Sequence, residues 1–147
     1  MRDLPRQLTV GQLAELFAGR TRLVELLAEH EDPLGSAQEV VAELSDEQKL
    51  EALNAHPAVG AAGLSGRSAE EQGADAEPVI LTELAYLNQV YEEKFGFRFV
   101  VFVNRRPKAE ILEVLGERLQ RTREEELETA LGELVAIARD RRARGVI

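Results

Sequence analysis

Helix start signals recur through the first third of this sequence. A Ser or Thr stands three residues before a Gln or Glu in three pairs: Thr9 and Gln12, Ser36 and Glu39, Ser45 and Gln48. Such a pair allows a capping box, in which each side chain binds the backbone N–H of the other residue at a helix N-terminus. Thr21 precedes a further apolar run at helical spacing. Four helix starts in so short a span predict a helical domain.

Apolar periodicity predicts three longer helices in the second half of the chain. We expect the longest over about residues 76–94, ended by Gly96, and a second helix led by Pro107. Thr122 with Glu125 predicts the start of the last helix. Its buried stripe is expected to contain Leu127, Leu131, Leu134 and Ala138, continued by Arg141 and Arg142.

One segment, Phe97 to Val103, has strong strand character. A single strand has no partner, so its N–H and C=O groups must bind loops, water or a ligand. Two interpretations stay open: a buried extended connection that fills the core, or a wall that binds a ligand rich in amides and ureas. The predicted fold class is therefore all-α, a compact multi-helix single domain over residues 1–147 with one extended Phe/Val-rich segment.

The formal net charge of −9 and the absence of cysteine narrow the classes of function. Phosphate backbones and anionic membranes bind a surplus of Lys and Arg, so we expect no nucleic-acid or membrane partner. Without cysteine there is no disulfide or thiolate nucleophile, and two histidines without an HExxH motif predict no metal site. No apolar run reaches membrane-spanning length and no secretion signal is evident, which favours a cytoplasmic protein.

The segment from His56 to Gln72 contains the residues with the most evident chemistry. His56 precedes Pro57 at the predicted end of a helix, and Ser68 with Glu71 forms a further capping-box pair after a Gly-rich loop. In a first helical turn Ser68, Glu71 and Gln72 share one face, so an imidazole can meet a carboxylate, an amide and a hydroxyl. A structural interpretation stays open, because a His before Pro often marks only the polar end of a helix.

Other polar residues also carry more than one interpretation. His30 lies in a polar helix end and is expected to be solvated rather than catalytic. Asn88 lies beside an apolar stripe, where a buried amide either braces the structure or touches a ligand. Arg139, Arg141 and Arg142 either place positive charge at a helix C-terminus or include a fork for a carboxylate.

Several motifs follow one another in a fixed order: His56-Pro57-x-x-Gly60, Ser68-x-x-Glu71-Gln72, Leu87-Asn88-x-x-Tyr91-x-x-Lys94-Phe95-Gly96-Phe97 and Ile137-Ala138-x-x-Arg141. Together they resemble the 2-oxo-4-hydroxy-4-carboxy-5-ureidoimidazoline (OHCU) decarboxylases of purine catabolism. The resemblance covers essentially the whole chain, and the helix that ends in Lys-Phe-Gly-Phe is its most specific part. It implies an all-helical enzyme, commonly a homodimer, that converts OHCU into (S)-allantoin and carbon dioxide without a cofactor.

The resemblance also implies a set of site residues. His56 matches the catalytic histidine of the family, and we expect Glu71 to orient and tune its imidazole. The expected substrate-binding residues are Pro57, Ser68, Gln72, the extended wall of Phe99, Val100, Val101, Phe102 and Val103, and the C-terminal Arg141.

Two other functions stay open at this point. A noncatalytic helical adaptor would bind a partner through its acidic surface and would tolerate replacement of His56. A relative of the family would act on a related ureido or purine-derived ligand, and the departures from the family pattern at Asp75 and Arg98 leave room for it.

Overall fold

The structure is a computed structural model that describes residues 8–56 and 77–145. These residues form seven helices, and no β-strand occurs among them, which confirms the all-α prediction. The helices are α1 (Val10–Phe17), α2 (Arg22–Leu27), α3 (Ala37–Glu43), α4 (Asp46–Asn54), α5 (Pro78–Phe95), α6 (Lys108–Arg118) and α7 (Arg123–Ala143).

The chain divides into two compact units. The first consists of Met1–His56 with Leu131–Ile147, and the second consists of Pro57–Ala130. The prediction that residues 1–147 form one domain stays a prediction. Helix α7 contributes its first eight residues, 123–130, to the second unit and the others to the first.

Most of the predicted helix starts are confirmed by their hydrogen bonds. Complete capping boxes form at Thr9, at Ser45 and at Thr122, and the Thr21 hydroxyl accepts from the Val24 N–H. Ser36 differs: its backbone is helical, with φ −93° and ψ −2°, and its side chain makes no capping bond. A cap residue normally has extended backbone, which points its hydroxyl at the N–H groups of the first turn.

Helix α2 is the centre of the first unit, because α1, α3 and α4 all pack against it. Its inward residues Leu23, Val24 and Leu27 are completely buried. The other helices of this unit also bury apolar residues: Leu13, Leu16, Phe17, Ala37, Val40, Val41, Ala52, Leu53, Leu131, Leu134, Val135, Ile137 and Ala138. Burial of an aliphatic side chain stabilises a fold by about 1.5–3 kcal/mol, so this core accounts for the stability of four short helices.

In the second unit α5 packs against α6. The buried face of α5 consists of Leu84, Asn88, Tyr91 and Phe95, which are spaced as one helical stripe requires. The sequence predicts α5 as the longest helix, and that prediction is wrong: α5 has 18 residues and α7 has 21.

The Lys94-Phe95-Gly96-Phe97 motif ends α5 and shapes the chain that follows. Gly96 adopts the left-handed conformation, φ 82°, which glycine adopts without steric cost. The Lys94 ammonium donates to the carbonyl of Leu119, the residue that caps α6. Phe95 and Phe97 pack around Tyr91, with ring centroids 4.6 and 5.9 Å from it. The motif therefore joins the end of α5 to the end of α6.

Among the residues that the structure describes, no helix combines the length and apolar character needed to cross a membrane.

Candidate active site

His56 lies just beyond the C-terminus of α4. Ala55 caps that helix, and the His56 N–H still donates to the Leu53 carbonyl at 3.2 Å. The residue is 5% exposed, so its imidazole lies inside the protein. The predicted placement of His56 at a helix end is confirmed. Its side chain is buried there and is not a solvated group at the helix terminus. His30, by contrast, is exposed as predicted.

Two contacts fix the position of α4 and therefore of His56. The Glu51 carboxylate on α4 accepts a hydrogen bond of 2.8 Å from the Arg22 N–H, the first N–H of α2. This arrangement places a negative charge at the positive end of the α2 dipole. At the C-terminal cap of α4, the backbone of Gly19 approaches Ala55 so closely that a Cβ on Gly19 would lie 3.0 Å from the Ala55 Cβ.

Arg141 is buried, with 3% exposure, whereas Arg139 and Arg142 are exposed. The guanidinium of Arg141 donates through Nη1 to the carbonyls of Leu16 and Glu15, at 3.0 and 3.4 Å. These carbonyls belong to the last turn of α1, where a cation is favoured. Burial singles out Arg141 among these arginines, whereas the apolar stripe predicted that both Arg141 and Arg142 would continue it.

His56 and Arg141 border the same short segment of the first unit. Ala55, next to His56, touches Gly19, and Arg141 binds Leu16 and Glu15 just before it. The fold therefore brings the C-terminal end of α4, next to His56, and the Arg141 guanidinium close to the turn between α1 and α2.

The predicted wall, residues 99–103, belongs to the second unit. Phe99, Val100, Val101 and Val103 are each at most 6% exposed, and Phe102 is half-buried. The segment is neither helix nor strand, so the interpretation as a buried connection is confirmed. Its role as a ligand wall stays a prediction.

Arginine side chains bind the carbonyl groups of this wall. Arg118 Nη1 donates to the Val100 carbonyl at 2.8 Å. Arg106 donates through Nη2 to the Phe102 carbonyl at 2.6 Å and through Nε to the Val103 carbonyl at 3.0 Å. These bonds replace the ladder that a neighbouring strand would provide.

Arg118 is itself part of a buried polar network. Its Nε lies 2.7 Å from a carboxylate oxygen of Glu126, and that oxygen also accepts from the Tyr91 hydroxyl at 2.6 Å. The other oxygen of Glu126 accepts from Arg121 at 3.1 Å. The Arg118 guanidinium lies 4.6 Å from the centroid of the Phe99 ring, a cation–π distance. Glu126 is completely buried, so the network satisfies a charge that would otherwise be very costly.

This network predicts an alkaline loss of stability. Burial raises the pKa of Tyr91, and the hydrogen bond to Glu126 raises it further above its ordinary value of 10.0. Above about pH 10 the unfolded chain loses the phenol proton while the folded protein keeps it. The unfolded state then binds fewer protons, so the free energy of unfolding falls as pH rises.

Urea unfolding followed by circular dichroism between about pH 9 and pH 11 measures this slope. Tyr91→Phe should flatten it, whereas Tyr86→Phe, which removes a 65% exposed tyrosine, should leave it unchanged. An equal slope in the Tyr91→Phe variant would rule out this phenol as its source.

Asn88 is buried and donates through Nδ2 to the Leu84 carbonyl at 2.9 Å, one turn earlier in α5. This bond supports the bracing interpretation. A ligand contact of Asn88 stays a prediction.

Four of the predicted site residues lie outside the described residues: Pro57, Ser68, Glu71 and Gln72. Their expected positions and roles therefore stay predictions. Among the described residues no group of three His, Asp or Glu side chains is placed to hold a metal ion.

No sequence motif pointed to Arg118, Glu126 or Arg106. The sequence does carry a signal for Arg118 and Glu126, because each is a charged residue at a helix position where the periodicity predicts an apolar one. Arg118 continues the buried face of Ile111 and Leu115 on α6, and Glu126 lies on the face of α7 that carries Ala130. A charge on such a stripe is rare unless it is paired.

Comparison with known sequences decides the family. The sequence model of the OHCU decarboxylase family matches residues 2–143. The chain belongs to the OHCU decarboxylase family. Among curated relatives, the 2-oxo-4-hydroxy-4-carboxy-5-ureidoimidazoline decarboxylase of Halalkalicoccus jeotgali is 35% identical over 103 residues, which are 67% of this chain. The uric acid degradation bifunctional protein of a Bacillus species is 37% identical over 114 residues, 68% of this chain.

The fold is also that of a solved family structure. A crystal structure of OHCU decarboxylase in the presence of (S)-allantoin matches with a TM-score of 0.77 at 26% identity, covering 90% of this chain and 96% of that one. The chain spans only 21% of the Bacillus bifunctional protein and 58% of the Halalkalicoccus decarboxylase.

Proposed function

We propose that this chain catalyses the cofactor-independent decarboxylation of OHCU to (S)-allantoin in urate degradation. The family match over residues 2–143 supports the reaction. The observation that supports catalysis by this particular chain is the burial of His56, the residue that matches the family's catalytic histidine. A noncatalytic adaptor would have no need to bury an imidazole at a helix end.

The substrate itself can accept the electrons that decarboxylation releases. The bond between the ring carbon and the carboxylate breaks, and its electron pair passes towards the adjacent C=N bond of the ring, where a proton is taken up. The hydroxyl on the carbon that lost the carboxylate gives up its proton and becomes the carbonyl of allantoin, and the neighbouring carbon gains a proton. One proton is consumed for each carbon dioxide released.

In this proposal His56 accepts the hydroxyl proton and takes part in the protonation that sets the S centre. An imidazole suits both steps because its pKa lies near neutrality. Glu71 orients the imidazole and stabilises its protonated form, as a nearby carboxylate does.

The remaining predicted residues bind the substrate. Pro57, Ser68 and Gln72 contact the polar ring, and the main chain of Phe99–Val103 holds the ring and the ureido arm. Arg141 neutralises an anionic part of the ligand, which a protein of net charge −9 would otherwise repel.

Turnover of freshly generated OHCU tests the reaction. The product is followed by circular dichroism, because enzymatic (S)-allantoin is optically active, and the spontaneous decay of OHCU is subtracted as background. Conversion above background with S selectivity is expected. A rate equal to the spontaneous background would favour the noncatalytic adaptor. Turnover of a related ureido ligand but not of OHCU would favour a family relative with a different substrate.

Replacement of Arg141 should act mainly on substrate binding. Arg141→Lys retains a charge but loses the planar fork, so we expect KM to rise about 10-fold with a smaller change in kcat. Arg142→Lys, at the exposed neighbouring position, is the matched control. A raised KM in the Arg142 variant alone would transfer the ligand contact to that residue.

We also propose that the active protein is a cytoplasmic homodimer. Sedimentation velocity on the purified full chain gives the oligomeric state, and cell fractionation gives the location. A concentration-independent monomer would contradict the first part of this proposal.

A further inference from the structure

The peptide units of the wall point in a defined direction. Across a trans peptide bond the C=O of one residue and the N–H of the next point in opposite directions, and no peptide bond among the described residues is cis. A protein group that binds the Val100 carbonyl therefore turns the Val101 N–H to the opposite side. The same relation links the Phe102 carbonyl to the Val103 N–H.

Arginines bind both of these carbonyls, Arg118 at Val100 and Arg106 at Phe102. The N–H groups of Val101 and Val103 have no acceptor among the described residues. Both valines are nearly fully buried, at 5% and 6% exposure. A buried N–H without a partner is costly, so these two donors are suited to a ligand oxygen.

The two arginines differ in how firmly they are held. Arg118 is fixed by the Glu126 carboxylate and by a cation–π contact with Phe99, and it is itself buried. Arg106 is half-buried and lies 3.8 Å from the Glu110 carboxylate, and its own N–H also binds the Val103 carbonyl. Either side chain can therefore be changed separately, one in the core and one near the surface.

We propose that Arg118 and Arg106 are positioning residues that orient the N–H groups of Val101 and Val103 towards a carbonyl oxygen of the substrate that lies away from the reacting carbon. Neither arginine needs to touch the substrate. This inference rests on the proposed decarboxylase function, because it names the residues that prepare the wall of that site.

The expected effect is on substrate binding. A carbonyl oxygen away from the reacting carbon keeps its charge through the reaction, so its hydrogen bonds stabilise ground and transition states alike. Their loss raises KM and leaves kcat nearly unchanged. The loss of one such hydrogen bond is expected to raise KM and Kd about 5-fold to 10-fold.

The experiment measures kcat and KM for OHCU and the Kd for (S)-allantoin in the full chain and in four variants. Arg118→Met and Arg106→Met each remove one carbonyl contact. Arg118→Lys keeps a positive charge beside Glu126, but it lacks the planar guanidinium that binds both Glu126 and the Val100 carbonyl. Arg123→Met is the matched control. Arg123 also makes a cation–π contact with a phenylalanine, Phe97, and donates to a carbonyl, but that carbonyl belongs to Phe95, outside the wall.

A rise of KM and Kd in the variants at positions 118 and 106, with kcat within about 3-fold and no rise in Arg123→Met, supports the inference. If Arg118→Met does not fold, Arg106→Met and Arg118→Lys decide it. If the wild-type chain turns over OHCU but Arg106→Met leaves KM and Kd unchanged, the positioning role is overturned and the proposed function stands. Absence of OHCU turnover in the wild-type chain overturns the proposed function and this inference with it.

Discussion

Replacement of His56 by asparagine should lower the rate of OHCU decarboxylation by about 10²–10⁴-fold, the range that one general acid or base contributes. Asparagine retains a polar amide of similar reach but exchanges no proton near neutral pH. Because His56 is buried at the end of α4, water has little access to replace it. The measurement is kcat/KM with freshly generated OHCU, corrected for spontaneous decay.

The other histidine of the chain provides the control. His30→Asn alters an exposed residue and should leave kcat/KM within about 2-fold, the range of ordinary surface substitutions. Both variants should keep the helical circular dichroism of the parent. Near wild-type turnover in the His56 variant would remove the imidazole from the mechanism.

Glu126→Ala should be the most destabilising single change proposed for this chain, lowering the free energy of unfolding by about 3–5 kcal/mol. The substitution leaves the buried guanidinium of Arg118 without its carboxylate and the Tyr91 hydroxyl without its acceptor. An unpaired buried charge costs much more than the hydrogen bonds that are lost. Urea unfolding monitored by circular dichroism gives the difference.

Glu128→Ala is the matched control for this prediction. Glu128 lies two residues further along α7 and is exposed, so its removal should change stability by less than about 0.5 kcal/mol. A loss below about 1 kcal/mol in Glu126→Ala would mean that the two arginines and the tyrosine are satisfied by other groups.

Local sequence signals predict much of the helical framework. The capping pairs at Thr9, Ser45 and Thr122 act over three residues, and Gly96 ends α5 through its own backbone conformation. Each signal involves only neighbours within one turn, so it operates whatever the rest of the chain does. Ser36 shows the limit, because the incoming backbone decides whether its hydroxyl can cap.

Helical spacing narrows the choice of a buried arginine but does not decide it. It places both Arg141 and Arg142 after Leu134 and Ala138 on one stripe, and the structure buries only Arg141. The same spacing places Leu84, Asn88, Tyr91 and Phe95 on one flank of α5, and all four are buried. Periodicity is sufficient for these four residues of α5 because it depends on position within one helix.

The partners of the buried charges depended on the tertiary structure. Arg118 reaches Val100 across 18 positions of sequence, Tyr91 reaches Glu126 across 35, and Arg141 reaches Leu16 across 125. The sequence alone determined where the helices of this protein start and which faces they bury, because propensity and capping act within a few residues. Only the tertiary structure decided which carbonyl each arginine binds, because that choice depends on how elements far apart in the chain pack together.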